Sequence, residues 1–213
     1  MMPNILKEVE HIILMPRCSR HVLTGSTLGL KAAVGYWRHD TRLEYHRDAA
    51  TLQEKTAEGN TVATLRTKQR LVLSAADKLL ATFGPDQGYV FEPDNGLVIA
   101  SDSVVAHDMI SLAWLLENRR TIPPSTREGF LDTSTVIPRV VNHLINNWLG
   151  GWRSALASET LTKNIVDSIW DDRVLNRSYE FFGGIPQVLL ENVNGALPDG
   201  LKDRLSRMTA IPI

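Results

Sequence analysis

The stretch Gly96–Asn118, GLVIASDSVVAHDMISLAWLLEN, joins a short apolar run to a longer one through two serines. Gly96–Ala100 has the length and apolar character of a buried strand. Ser101 or Ser103 can cap a following helix that runs to about Asn118. The inner side of that helix would carry Ile110, Ala113, Trp114 and Leu116. The stretch therefore predicts a strand that passes directly into an amphipathic helix.

The same order of elements occurs earlier in the chain. His11–Met15 is a short apolar run closed by Pro16, and Leu71–Leu73 is a second strand candidate. A helix is expected to begin near Ser26 or Thr27, after a glycine-bearing turn, and to extend to Trp37. Strand followed by helix, repeated along a chain, predicts an α/β fold with a mainly parallel sheet flanked by helices.

The last third of the chain is expected to be rich in helices. Its candidates are Val136–Leu149, Leu161–Trp170 and Asp199–Met208, and a short helix is also expected at Ala49–Glu58. We divide the chain into an α/β core, residues 1–120, and a helical part, residues 121–213. No linker is long enough to force two domains, so both parts are expected to pack on one core.

Composition and charge restrict the classes of function. The 213 residues are 43% hydrophobic and 22% charged, with a formal net charge of −1, so the net charge favours neither nucleic acid nor a membrane surface as a partner. Cys18 is the single cysteine, which excludes an internal disulfide and an iron-sulfur cluster held by this chain's thiolates. The opening residues lack the pattern of a signal peptide, and no apolar run reaches membrane-spanning length. We therefore expect a cytoplasmic protein.

The stretch Arg20–Lys31, RHVLTGSTLGLK, is similar to a phosphate-binding loop but departs from that motif. Only three residues separate Gly25 from Gly29, and Lys31 does not follow Gly29 directly. A phosphate loop requires four residues between its glycines, followed by Gly-Lys-Ser/Thr. The motif is therefore excluded.

Basic side chains are concentrated in this part of the chain. Lys31 lies on a segment poor in bulky side chains, where backbone N–H groups at a helix start can meet an anion. Arg38 and Arg42 are four residues apart and, on a helix, can clamp a carboxylate or phosphate together. His21 and His46 can carry a proton at neutral pH or bind a metal ion. This cluster predicts a site for a small anionic molecule; the alternative is a solvated basic loop.

Asp108 is a further candidate for the site. It follows the predicted strand Gly96–Ala100, and open α/β sheets place their ligands at the carboxyl ends of their strands. The alternative is that Asp108 is only a favourable negative charge in the first turn of a helix.

Several short motifs resemble the uncharacterised family called domain of unknown function 362. They cover roughly residues 11–118 and comprise PRCSRH, Gly25, Thr27, Lys31, Gly35, His46, Asp77 ahead of GPDQG, then GLVIAS and AHD. Two positions depart from the family pattern: Ser19 stands where a lysine is usual, and Ser103 stands where an aspartate is usual. Asp108 matches the second aspartate of the last motif.

The resemblance also implies that this chain lacks two features found in members of the family. Family members generally carry an N-terminal half ahead of the Pro–His strand, and some carry ferredoxin-type cysteines. The resemblance therefore implies either a shortened descendant or a second chain that supplies the missing half.

A more distant resemblance is to the lactate racemases that use a nickel-pincer nucleotide. His21, Gly25, Thr27, Gly29 and Lys31 are similar to that family in type and spacing. The resemblance implies proton transfer by His21, covalent attachment of the cofactor to Lys31 and nickel ligation by His46. The two adjacent glycines that precede the lysine in that family are replaced here by Leu28-Gly29-Leu30.

Two hypotheses follow from the sequence. The first is an enzyme for a small anionic substrate or cofactor, with catalytic His21, His46 and Asp108 and with a binding set formed by Lys31, Gly25, Thr27, Arg38 and Arg42. The second is a non-catalytic binding or assembly protein, which predicts a broad apolar patch that drives self-association. Nucleic-acid binding is not expected, because no aromatic-lined basic motif accompanies the basic cluster.

Overall fold

The computed structural model describes residues 2–21, 24–47, 52–81, 89–119, 121–122, 144 and 166–212. Their α-helices are α1 (Ile5–Glu8), α2 (Gly29–Ala32), α3 (His39–Arg47), α4 (Leu52–Glu58), α5 (Ala63–Lys68), α6 (Val104–Asn118), α7 (Arg173–Phe182) and α8 (Asp199–Thr209). Single turns of 3₁₀-helix are formed by Ala33–Tyr36, Gly59–Thr61 and Ile169–Asp171. The strands are β1 (Ile12–Leu14), β2 (Ser19–His21), β3 (Gly25–Thr27), β4 (Gln69–Ala76), β5 (Leu79–Leu80), β6 (Val90–Phe91) and β7 (Leu97–Ser101).

The strands form two mixed sheets, with the orders β1-β4-β7 and β3-β2-β5-β6. The pairs β1–β4 and β2–β5 are parallel, whereas β2–β3, β4–β7 and β5–β6 are antiparallel. The expected α/β fold with flanking helices is confirmed, and parallel pairing accounts for two of these described pairs. The β2–β3 connection illustrates why the pairing is mixed: it is far shorter than the dozen or more residues that a parallel crossover requires.

Helix α6 is the centre of the hydrophobic core. It packs against β4, β7, α2, α7 and α8, and nearly all of its side chains are buried. Its N-cap is Ser103, whose Oγ accepts a hydrogen bond from the backbone N–H of Ala106 at 3.3 Å. The strand Gly96–Ala100 and the helix that ends near Asn118 are therefore confirmed as β7 and α6.

The predicted helix start at Ser26 or Thr27 is wrong. Both residues lie in β3, which pairs with β2 through the register Arg20↔Ser26. Gly25 closes the turn between the two strands at φ +83°, a conformation that glycine adopts without steric cost. The helix begins at Gly29 instead, and a side chain from α6 determines that position, as described below.

The helices of the last third are predicted only in part. Asp199–Met208 is confirmed as α8. Within the described part of Leu161–Trp170 no α-helix forms, because Ser168 caps a 3₁₀ turn at Ile169–Asp171. Helix α7, which follows that turn, was not predicted. The expected helix Val136–Leu149 lies outside the described residues, apart from Leu144.

One face of the β1-β4-β7 sheet is apolar and exposed. Ile13, Met15 and Val98 are 57%, 73% and 73% exposed. Their neighbours on the same face are Leu71, Leu73, Ala75 and Ala100, because the register places Ile13 opposite Leu71, Leu73 opposite Ala100, and Ala75 opposite Val98. The opposite face carries the buried Val72 and Ile99 and packs against α6.

Candidate functional site

The carboxylate of Asp108 holds the start of α2. Asp108 is buried in the first turns of α6, where its Oδ1 accepts from the N–H of Gly29 at 2.7 Å and its Oδ2 from the N–H of Leu30 at 2.8 Å. The anion that accepts from the backbone N–H groups ahead of Lys31 is therefore the side chain of Asp108 and not a bound ligand. The glycine is required because a β-carbon at position 29 would lie 2.8 Å from Asp108 Oδ1.

Asp108 is also joined to a buried histidine and serine. His107 Nδ1 lies 2.9 Å from Asp108 Oδ1, and His107 Nε2 lies 3.0 Å from the Oγ of Ser74 on β4. This is the order of groups in a Ser-His-Asp triad. However, Ser74 and His107 are both 0% exposed, and the Ser74 hydroxyl also donates to the carbonyl oxygen of Pro16 at 3.0 Å. No substrate reaches Ser74 Oγ, so these groups connect β4, α6 and α2.

A second buried acid, Asp172, lies against the β2–β3 hairpin. Its Oδ1 accepts from the N–H of Leu175 at 2.9 Å and caps α7, and its Oδ2 accepts from the Oγ of Ser26 at 3.3 Å. The guanidinium of Arg20, which is also buried, contributes a positive charge nearby. Burial raises the pKa of the Asp172 carboxyl to about 6, and the negative charge of Asp108 adds to the rise.

Lys31, Asp108 and Asp172 line one small cavity together with Ser26. The cavity has a volume of about 10 Å³, room for roughly one water molecule. Its remaining lining is apolar: Leu28, Leu30, Val174 and Leu175. The structure thus brings two sequence-predicted residues, Lys31 and Asp108, to the same place and adds two that were not predicted.

The amine of Lys31 is mostly buried and has no partner for a positive charge among the described residues. No hydrogen bond or ion pair of Lys31 occurs within that part of the chain. Burial lowers the pKa of the Lys31 ammonium, and the positive charge of Arg42 lowers it further. The contacts of Asp108 are the N–H groups of Gly29 and Leu30 and the Nδ1 of His107, and no ion pair with Lys31 is among them.

Arg42, Arg38 and His21, which were also predicted for the site, do not line this cavity. Arg42 is exposed on α3, and its charge acts on Lys31, whereas Arg38 is exposed and forms an ion pair with Asp40 at 3.0 Å. His21 is buried on β2, and its Nδ1 accepts from the N–H of Thr24 at 3.3 Å. His46 lies in α3, and its side chain is outside the described residues.

Gly25 and Thr27 belong to β3, which supplies Ser26 to the cavity. Gly25 also lies near the buried charges: a β-carbon there would be 3.7 Å from Asp172 Oδ2 and 3.8 Å from a guanidinium nitrogen of Arg20. Both residues therefore belong to the strand that supplies Ser26, and neither lines the cavity itself.

Metal ligation was predicted for His46 only. Among the residues that the structure describes, no three histidine, cysteine, aspartate or glutamate side chains are grouped so that they could hold a metal ion. In the same part of the chain, no helix is long and apolar enough to cross a membrane.

Asp172 and Ser26 are the site residues that the sequence did not reveal. Asp172 precedes Val174, Leu175, Ser178 and Tyr179, which form the buried side of α7. An aspartate ahead of such a pattern is a recognisable helix cap. The cap signal predicts α7, but it does not indicate that the same carboxylate contacts Ser26, 146 residues earlier in the chain.

Comparison with known proteins gives one match. The family model described as "Domain of unknown function (DUF362)" matches residues 1–113. No curated protein and no solved structure matches the chain. The resemblance to the nickel-pincer lactate racemases is therefore not confirmed.

Proposed function

The chain belongs to the DUF362 family, and we propose that it binds and transforms a small anionic molecule at the cavity formed by Lys31, Ser26, Asp108 and Asp172. One observation carries this proposal: the mostly buried amine of Lys31 has no counter-ion among the described residues. Arg42 adds a second positive charge near it. An anion would supply the negative charge that Lys31 lacks among the described residues.

The energetic argument rests on the cost of burying a charge. An ammonium removed from water is costly unless a partner compensates it. The two nearest buried acids are engaged elsewhere, Asp108 with the N–H groups of α2 and Asp172 with Ser26 and Leu175. A ligand carboxylate or phosphate would therefore stabilise the charged form of Lys31 more than any group in its own lining does.

Asp172 supports a chemical role beyond binding. A carboxyl group with a pKa of about 6 changes its protonation state close to neutral pH, which is the property of an efficient general acid or base. It lines the same cavity as Lys31. The proposed roles are therefore anion binding by Lys31 with Arg42, and proton transfer by Asp172.

The titration of Asp172 has a measurable consequence for stability. Its pKa is about 6 in the folded protein against an ordinary 3.8, so the folded state holds a proton that the unfolded state has lost between these values. The stability that this bound proton gives to the folded state is fully present below about pH 4 and is lost as the pH rises through 6. We expect the free energy of unfolding of the wild type, relative to Asp172→Asn, to fall by on the order of 2 kcal/mol between pH 4 and pH 7. Urea denaturation of both proteins at the two pH values measures this change. If the difference in the free energy of unfolding between the two proteins were the same at pH 4 and pH 7, the raised pKa of Asp172 would be contradicted.

Lys31→Met tests the anion site, because it removes the charge and keeps an unbranched side chain. We expect glyoxylate or inorganic phosphate, at about 100 times its dissociation constant, to stabilise the wild type by about 2.7 kcal/mol. The gain should vanish in Lys31→Met. Lys78→Met is the matched control, because Lys78 is exposed and pairs with Glu92 at 3.0 Å. If Lys31→Met kept the stabilisation, or if neither anion stabilised the wild type, the proposed site would be refuted.

A second candidate function, self-assembly, is favoured by the exposed apolar face of the β1-β4-β7 sheet. An assembly protein was expected to carry such a patch, and Ile13, Met15 and Val98 are the large apolar side chains that this face exposes most. A second copy of the chain is the proposed occupant, with the two faces packed against each other. This function does not require Lys31, so the two candidates are tested independently.

We expect Val98→Lys to shift the protein toward monomer in sedimentation velocity, by at least about tenfold in the dimer dissociation constant. Val193→Lys is the matched control, because Val193 is 95% exposed and lies outside the sheet. A wild-type protein that stays monomeric at high concentration would exclude this candidate.

A further inference from the structure

The cavity beside Lys31 brings together three groups that differ in chemistry. The amine of Lys31 has no partner among the described residues, the Asp172 carboxyl lines the same cavity, and the Ser26 hydroxyl donates to Asp172 at 3.3 Å. The space between them holds about one water molecule. An amine, a proton carrier and room for one oxygen atom are the requirements for condensation with a carbonyl group.

We propose that Lys31 forms an imine with the carbonyl carbon of a small oxo acid. This inference rests on the proposed function, because the carboxylate of the oxo acid is the anion that the site binds. It adds the chemical class of the ligand and a covalent step.

The environment of Lys31 favours the nucleophilic form of its amine. A neutral amine has a free electron pair and attacks carbonyl carbon, whereas an ammonium ion does not. Burial and the charge of Arg42 both act against the ammonium form. The Lys31 residue as a whole is partly exposed.

The proposed step is balanced within the site. The nitrogen of Lys31 bonds to the carbonyl carbon, the carbonyl π electrons move to oxygen, and that oxygen takes a proton from Asp172. The nitrogen then loses a proton to the Asp172 carboxylate. Asp172 returns this proton as the carbon–oxygen bond breaks, so that water leaves and a protonated imine remains. The imine nitrogen then gives its proton to the Asp172 carboxylate, which restores the starting acid. No oxidant or reductant is consumed.

The size and charge of the site favour an oxo acid over a neutral carbonyl compound. The cavity accepts an oxygen atom or the released water, so the remainder of the ligand must lie on the exposed side of Lys31. Arg42 is exposed, and its positive charge, which acts on Lys31, also attracts a carboxylate. Glyoxylate is the smallest oxo acid that carries both groups, which makes it the appropriate probe.

The experiment is reductive trapping of the full chain with glyoxylate and cyanoborohydride, followed by intact mass measurement and peptide mapping. We expect one carboxymethyl group on Lys31, added at least about tenfold faster than on any other lysine, because burial and the charge of Arg42 lower the pKa of the Lys31 ammonium and favour the neutral, nucleophilic amine. Asp172→Asn should slow trapping at Lys31 by about 100-fold. The exposed Lys78 serves as the internal reference.

Lys31→Arg separates this inference from the proposed function. The variant keeps a positive charge and is expected to bind glyoxylate in calorimetry, but it cannot form an imine. If glyoxylate binds to the wild type and no adduct forms at Lys31, the covalent step is overturned and anion binding stands. If glyoxylate neither binds nor becomes trapped, both are overturned. Adducts spread evenly over the lysines would show non-specific amine chemistry and would also overturn the inference.

Discussion

Asp108→Ala is expected to lower the free energy of unfolding by about 3–5 kcal/mol, because it removes one buried charge and leaves its partners unsatisfied. The N–H groups of Gly29 and Leu30 and the Nδ1 of His107 all contact this carboxylate. None of these groups can turn to water, because Gly29, Leu30 and His107 are buried. Urea denaturation followed by circular dichroism measures the loss.

Asp108→Asn and Asp102→Ala are the controls for this prediction. Asparagine keeps one oxygen acceptor, so it should restore part of the lost stability. Asp102 is exposed just ahead of the same helix and should change stability by less than about 0.5 kcal/mol when replaced by alanine. An Asp108→Ala protein as stable as the wild type would mean that α2 does not depend on this cap.

Gly29→Ala is expected to destabilise the protein by about 3 kcal/mol through steric conflict alone. The new β-carbon would lie 2.8 Å from Asp108 Oδ1, 2.9 Å from Val104 Cγ2 and 3.2 Å from Val72 Cγ1. To relieve these contacts, α2 must move away from α6, which also lengthens the hydrogen bonds from Gly29 and Leu30 to Asp108. Thermal and urea denaturation both report the effect.

Gly35→Ala is the matched control. Gly35 lies six residues later, in the 3₁₀ turn Ala33–Tyr36, and a β-carbon there would meet no atom within 4 Å. Its replacement should be neutral or slightly stabilising, because alanine loses less backbone entropy on folding than glycine does. Equal stability of Gly29→Ala and Gly35→Ala would contradict the close approach of α2 and α6.

The elements that the sequence predicts best are those with local signals. Helix α6 has a serine cap, an apolar inner side and a preceding strand, and all three are encoded within one stretch. The predicted start of α2 is wrong because the signal that determines it is not local. It is set by Asp108, 79 residues away from Gly29, and no local pattern indicates that Ser26 will pair with Arg20 in a hairpin instead.

The same distinction between local signals and tertiary contacts applies to the candidate site. Lys31 and Asp108 were recognised from residue type and position, and the structure places both on one cavity. The expectation that backbone N–H groups near Lys31 meet an external anion overlooked Asp108, which already accepts from them. Asp172 escaped recognition because its proximity to Ser26 depends on how α7 packs against the β2–β3 hairpin, a tertiary contact that residue spacing does not encode.

The most direct measurement of the central claim, that Lys31 holds the ligand, is a nuclear magnetic resonance titration of protein labelled with ¹³C at the lysine ε-carbons. The Lys31 signal is assigned by its absence from the spectrum of Lys31→Arg. We predict that saturating glyoxylate moves the Lys31 resonance while those of the exposed lysines, such as Lys78, stay in place. A Lys31 resonance that does not respond, or one that moves together with all the others, would contradict the account.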